Sequence, residues 1–450
     1  MMDKKQISLR NRLFFQSTAA SFPKEASLVR KLLEYERDAY MTAEIAMDLS
    51  SYMVHYISGY TSECEAAAHK EAEKFLALLR KWGETELLKT AEEEIKSLKT
   101  SSLIKLTELG DTKELAVRWG NDNGLGIMKA MRRGAMFVTT NPPIVNMARK
   151  EKADVYDKIR NRICADYKDE PVENRISRLT MEVVLNNCRA LYAVFERSGH
   201  RAGYVHYQVN PCSYRDSKAM TQEILFAYSH MQKKLGGRPN VLFKVPGTKA
   251  ALETVEEVSR LGIGVTITVN FSAAQSYAFA KRIQEGCAER SFVVMMAGRL
   301  DGPVEEELEK AGVSDAAVTA RGASRAVTYQ IYHNVLLKNR LDKTNILVAS
   351  LRGAWNFEAS LTKDRESEIV ISSFPDKWAD YDAQEQCYQP MVQEKPPEEL
   401  ISRLKKSETF KKAYELEGMS EEEFDTYGPV TATLNSFIQT YEELKEYMSA

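Results

Sequence analysis

The chain has little of what several protein classes require. Only six of its 450 residues are cysteine, and Cys64, Cys164, Cys188, Cys212, Cys287 and Cys387 form no CxxC pair. Their scatter excludes a disulfide framework or a zinc-site spacing and fits reduced thiols in a cytoplasmic protein. Excess positive charge is missing as well. There are 62 Lys and Arg against 64 Asp and Glu, a formal net charge of -2, which leaves no footprint for nucleic acid. No Gly-rich loop precedes a helix and no His or Cys cluster occurs, so no nucleotide or metal cofactor is expected. The opening MMDKKQISLRNRLFF has charges but no apolar signal core, and no later run is long enough to span a bilayer. What remains is an intracellular globular chain with 44% hydrophobic residues for a core.

The pattern along the chain divides it into three. Residues 1–110 read as a helical extension. SLVRKLLEYERDAYMTAEIAMDLSSYMVHYI and CEAAAHKEAEKFLALLRKWGETELLKTAEEEIKSL repeat apolar residues at three- and four-residue steps, with Gly59 between them. Such a hairpin is suited to covering a neighbouring domain or to a homo-oligomer contact. Residues 111–395 alternate strand and helix. The strand candidates are 115–119, 134–143, 202–211, 240–246, 264–272, 291–299, 345–350 and 368–373. Helices are expected over 153–167, 171–198, 217–234 and 249–260, and from Ser314 towards Lys338. Eight strands separated by helices predict an α/β fold, a (β/α)8 TIM barrel with functional residues at the C-terminal strand ends. Residues 396–450 read as two helices, 398–416 and 420–447, that pack on the barrel.

One lysine stands out. In NVLFKVPGTKAA, Lys244 lies near the end of a short apolar strand. Burial penalises an ammonium, lowers its pKa and frees the amine to attack a carbonyl; the bland alternative is a lysine that snorkels to water. Asn141, Gln208, Thr268, Arg299, Ser350 and Arg352 also fall at or near strand ends. Two arginines and a serine on late strands offer a forked site for phosphate or sulfonate.

The ordered motifs VTTNPP, YVHYQVNP, FKVPGTKAA, GVTITVNFSAAQ, GRLDG and VASLRG resemble the transaldolase family, including its fructose-6-phosphate aldolase subgroup. The resemblance covers 115–374 and implies a barrel enzyme of carbohydrate metabolism, in the pentose phosphate pathway, acting on sugar phosphates without a cofactor. By that resemblance Lys244 is the Schiff-base lysine, Asn141 contacts the donor hydroxyls, and Thr268 sits beside a proton-relaying water. Arg299, Ser350 and Arg352 would hold the phosphate.

The departures bear on the chemistry. Transaldolases carry an aspartate after the first strand. Counting back from IMKAM puts Asn121 there, and a shift of one residue puts Asp122 there. The usual strand-three glutamate is Gln208, as in the aldolase subgroup, but that subgroup's strand-six tyrosine aligns with Met296. Thr266 replaces an asparagine. An amide cannot accept the proton that retro-aldol cleavage needs. His206, on the same strand face as Gln208 and Tyr204, and Asp122 are the candidates to do so. A histidine there would titrate near neutral pH and relay protons through a water, or equally be satisfied by a hydrogen bond further down the barrel. On the C-terminal helix, Phe437 or Tyr441 could shape a lid. Three readings stay open: a transferase of dihydroxyacetone units, a lyase releasing free dihydroxyacetone, and a non-catalytic sugar-phosphate binder.

Overall fold

The computed structural model describes residues 4–363 and 367–449. Eight parallel strands close into one barrel in chain order: β1 (Val117–Asn121), β2 (Val138–Thr139), β3 (Val205–Gln208), β4 (Val241–Pro246), β5 (Val265–Thr268), β6 (Ser291–Met296), β7 (Thr344–Ala349) and β8 (Ile369–Ser373). β8 returns to β1 over the register Val117↔Ile369 to Asn121↔Ser373. The expected (β/α)8 fold is therefore present. A parallel sheet is covered on both faces, so its strands are nearly continuous apolar runs. Arg118 is the one strand residue that is not fully buried.

Side-chain parity orients the site. Tyr207 bonds outward to Glu223 of helix Ser217–Leu235, and Trp119 bonds outward to Thr107 and the Arg133 carbonyl. Their neighbours in the alternation, His206, Gln208 and Gly120, therefore face the interior. The strand registers carry that face to Thr139, Lys244, Thr266 and Ser372.

Several boundaries differ from the sequence reading. Helix Pro142–Glu151 was not expected; Asn141 caps it, and two prolines suit its first turn. β6 stops at Met296 and runs without a loop into helix Ala297–Lys310, so GRLDG belongs to a helix rather than to a strand end. Asp315, not Ser314, precedes the next helix, Ala316–Tyr329, which passes into a π-helical segment, Gln330–Leu337. The 398–416 stretch is two helices, Glu398–Leu404 and Glu408–Tyr414, because the Ser407 hydroxyl caps the second. Ser420 and Glu423 form a capping box on a 3-10 turn, and the long C-terminal helix begins only at Gly428.

The N-terminal hairpin is four main helices: Phe22–Glu36, Ala39–Leu49, Ser62–Trp82 and Thr85–Leu98. The Asp38 cap and left-handed Gly83 (φ 77°) supply the extra breaks. Their apolar faces join the barrel in a continuous core, as Phe22, Phe75 and Leu79 do with Trp119 and Val138. Buried ions fasten them to the segment after β1. Asp48 accepts from Arg10 Nε at 2.6 Å and Arg132 Nε at 2.8 Å, while Arg133 bonds Glu94 and Asp382, each at 2.5 Å. The C-terminal helix Gly428–Ser449 packs Tyr441, Leu444 and Met448 against Val145, Ala148, Ile176 and Leu179. No helix among the described residues is long and apolar enough to cross a membrane.

Candidate active site

Lys244 stands in register between Gln208 on β3 and Thr266 on β5. It is 6% exposed, and Nζ donates to the Thr140 carbonyl at 3.1 Å. Burial pushes its pKa down; the Asp122 charge opposes this and the Arg299 charge adds to it. An amine so placed loses its proton more readily than a solvated lysine.

Asp122 follows β1 and faces the interior. Thr139 Oγ1 donates to its carboxylate at 2.5 Å and lies 2.6 Å from Ser372 Oγ, so β1, β2 and β8 each contribute one group to a buried polar chain. Burial raises the Asp122 pKa, while Lys244, the Thr139 hydroxyl and Arg299 pull it back. Burial thus moves the carboxyl up and the lysine down, and the charge of each acts on the other, a pairing typical of sites that transfer protons.

Asn121, the residue favoured by counting, shares the outward parity of Trp119, whereas Asp122 takes the inward one. Its Nδ2 donates to the carbonyls of Asn123 (2.9 Å) and Leu125 (3.0 Å), and its Oδ1 accepts from Trp378 Nε1 at 3.2 Å. Asn121 shapes the loop that presents Asp122.

His206 also departs from expectation. It points inward, one step down β3 from Gln208, with Nδ1 2.8 Å from Thr266 Oγ1 and its ring between Phe137 and Phe292. Burial, then the charges of Lys244 and Arg290, push its pKa well below the usual range. Its surroundings favour the neutral imidazole.

Gln208 is 7% exposed, and its Oε1 is buried without a hydrogen-bond partner among the described residues. It lines a small cavity with Asn141, Glu223 and Tyr441. The Glu223 carboxylate is engaged there by Tyr207 Oη, Ser177 Oγ and the Asn210 N–H at 2.8–3.0 Å. Asn141 Oδ1 accepts the Ile144 N–H at 2.9 Å. Thr268 lies one alternation beyond Thr266 and is buried.

The segment after Thr268 is strained. Val269 adopts φ 52°, a left-handed conformation that is rare for a β-branched residue. Gln275 of the NFSAAQ motif holds the turn there by donating to Gly247 O at 2.6 Å and Val269 O at 3.4 Å. A Cβ on Gly247 would lie 2.8 Å from Gln275 Nε2, which accounts for the glycine in VPGT.

Arg299, Ser350 and Arg352 come together around Gly298. Arg299 lies in the first turn of helix Ala297–Lys310, not at a strand end. The Gly298 N–H donates to Ser350 O at 3.1 Å, and a Cβ there would approach Arg352 Cγ to 2.4 Å. Burial lowers the Arg299 pKa, and the Arg352 charge lowers it further. The two guanidinium groups therefore sense each other, and neither has a salt bridge to another described residue. Such a pair is a ready site for a phosphate-type anion. Phe437 of the C-terminal helix lies 5.4 Å from the Arg299 guanidinium, at the edge of the same site.

Sequence reasoning missed Thr139, Ser372 and Gln275. Thr139 was identifiable as the residue two before Asn141 on the interior face. Ser372 had no local signal, because EIVISS reads as an ordinary strand.

Comparison with known proteins supplies the context. Residues 126–367, more than half of the chain, match the family model described as transaldolase/fructose-6-phosphate aldolase. The chain is 29% identical over 214 residues to a transaldolase of Thiobacillus denitrificans, covering 44% of this chain and 57% of the relative. A Mycolicibacterium smegmatis transaldolase is 29% identical over 226 residues, covering 47% and 58%. A Nostoc protein named transaldolase 2 is 27% identical over 233 residues, covering 45% and 58%. The chain thus spans less than three fifths of each of these relatives, while the family-model match at 126–367 takes in Lys244, Arg299, Ser350 and Arg352 and begins after Asp122. The chain belongs to the transaldolase/fructose-6-phosphate aldolase family.

Proposed function

We propose that the protein is a transferase that moves a dihydroxyacetone unit between sugar phosphates through an imine on Lys244. The observation that carries this reading is the buried Lys244 amine with Asp122 in its field and two arginines, neither in an ion pair with a described residue, around Gly298. Lys244 Nζ attacks the ketone carbon of the donor. The carbinolamine loses water after protonation by Asp122, whose raised pKa keeps a proton available. As a carboxylate, Asp122 then takes the proton from the C4 hydroxyl as the C3–C4 bond opens. The aldehyde departs, and the enamine on Lys244 attacks an acceptor aldehyde, whose alkoxide takes the proton back from Asp122. Water then hydrolyses the resulting imine to release the new ketose and free the amine. The Oε1 of Gln208 accepts from a donor hydroxyl, and Arg299 with Arg352 holds the phosphate.

The lyase reading is supported by Gln208, which cannot act as a base, and opposed by buried Met296, which has no hydroxyl. Incubation with fructose 6-phosphate, with and without erythrose 4-phosphate, separates the two. The transferase reading expects glyceraldehyde 3-phosphate to accumulate only with the acceptor. Free dihydroxyacetone without it would replace that reading with the lyase.

Two further outcomes are expected. Arg352→Ala should raise KM for phosphorylated donors by about 10–100-fold, from loss of one charge-assisted bond. It should leave turnover of unphosphorylated dihydroxyacetone acceptor pairs nearly unchanged. The pH profile follows from Lys244, which is nucleophilic only when neutral. The kcat/KM should therefore rise with pH on the acid limb, with its midpoint below the ordinary lysine pKa. A limb centred at the ordinary value would show that burial does not activate this amine.

A further inference from the structure

The barrel has a second arginine cluster at the opposite end from Lys244. Arg118 of β1 and Arg290, just before β6, both contact one carboxylate, Glu368, just before β8. Arg201, just before β3, adds a third guanidinium at the rim. It is exposed, makes no ion pair among the described residues, and presents its backbone carbonyl to Arg118 Nη1 at 3.0 Å. Arg238 stands nearby and is paired with Glu289 at 2.9 Å. Asp111, the other carboxylate whose charge reaches Arg118, is hydrogen-bonded by the Tyr52 hydroxyl.

Arg118, Arg201 and Arg290 line a small cavity with Tyr204, His206 and Phe292, closed above by the aromatic floor of the barrel. Arg290 Nε is buried there with no hydrogen-bond partner. An unmade bond to a buried guanidinium is costly. The electrostatics agree with the geometry: burial, with Arg118 and Arg201 adding repulsion, lowers Arg290 to about 9. Conventional barrels use this face for stability rather than chemistry. Here two arginines share the one carboxylate of Glu368, and Arg201 stands beside them with its side chain bonded, among the described residues, only to the Ser198 carbonyl, which leaves positive charge in excess.

We infer that the N-terminal face of the barrel is an anion-binding site, in which Arg118, Arg201 and Arg290 take a phosphate-type oxyanion entering past Arg201. The cavity is too small for a sugar ring, so the ligand presents an oxygen to the arginines and leaves its remainder in solvent. This site is separate from Arg299 and Arg352 and does not depend on the chemistry proposed for Lys244.

The experiment uses the full chain carrying Arg299→Ala and Arg352→Ala, so that the mouth of the barrel contributes no phosphate binding. Thermal unfolding is followed against inorganic phosphate, with sodium chloride at matched ionic strength as control. The expected result is a saturable rise in Tm of about 1–2 °C for phosphate over chloride. It should vanish when Arg290→Met is added, and the half-saturating concentration should rise several-fold with the exposed-site variant Arg201→Ala. Glycerol phosphate should act like phosphate if the ligand is a monoester, and fail to if only the free ion fits. No phosphate-specific rise, or a rise unchanged by both Arg290→Met and Arg201→Ala, would overturn the inference. If Arg290→Met does not fold, the Arg201→Ala titration decides alone.

Discussion

Asp122→Asn should lower kcat by about 10²–10⁴-fold, the range that general acid–base groups supply, while substrate binding changes little. The substitution keeps the size of the side chain, and the new amide can still bond the Thr139 hydroxyl that donates at 2.5 Å in the wild-type protein. What is lost is the ability to give and take a proton beside Lys244. Asn121→Ala provides the contrast. It removes the bonds that fold the 123–125 loop, so it should lower stability and activity together, with neither effect reproducing the Asp122→Asn loss. Thr139→Val should fall between them, because it removes the hydroxyl that holds the carboxylate down and leaves the carboxyl in place. If Asp122→Asn retains more than about a tenth of wild-type kcat, the proton passes through another group, and a single turnover measured in deuterium oxide with His206→Phe would be the next step.

Asp48→Ala should destabilise the protein by roughly 3–5 kcal/mol, measured as a shift in the denaturant midpoint. Asp48 is fully buried and receives Arg10 on both of its oxygens and Arg132 on Oδ1. Without it, two buried guanidinium groups face each other across the joint between the N-terminal helices and the barrel. The triple variant that also replaces both arginines with methionine should recover much of the loss, because an apolar set avoids the desolvation of the ions. Burial raises the Asp48 pKa, but the two arginines outweigh it and hold the value below the usual carboxylate range. The stability this gives is present above the unfolded-state pKa of about 4. It is lost as pH falls through the lowered native value. Arg132 directly follows helix Ile127–Met131, which in turn follows the Asp122 loop. The extension thus braces the loop that carries the proposed acid, and its loosening should reduce kcat before the barrel itself unfolds.

The barrel was legible because each strand is a short apolar run bounded by a break, and because a parallel sheet hides both its faces. The proposed lysine was legible for the same reason: a charged residue near the end of such a run is conspicuous. The limits of the reading lie where one residue of shift changes the answer. On β1 the alternation assigns Trp119 and Asn121 to one face and Gly120 and Asp122 to the other, so counting from a helix favoured the neighbour that faces outward. The bulk of Trp119, which can only face the helices, would have resolved it. Arg299 was placed on a strand because β6 passes into its helix with no loop residue to mark the change. The inward direction of His206 was legible from the alternation, but the burial that lowers its pKa was not, since the rings around the imidazole come from Phe137, just before β2, and Phe292 of β6, and no local pattern brings them together. The arginine cluster on the opposite face is likewise assembled from residues 118, 201 and 290, whose proximity only the closed barrel creates.

An imine between Lys244 and a ketose can be caught by borohydride reduction. Protein is incubated with fructose 6-phosphate, reduced, digested and examined by mass spectrometry. The account predicts a stable three-carbon adduct on the peptide bearing Lys244, absent in Lys244→Met and persisting in Arg352→Ala at higher sugar concentration. A folded protein that yields no adduct with this or other ketose phosphates, or an adduct mapped to a different lysine, would contradict it.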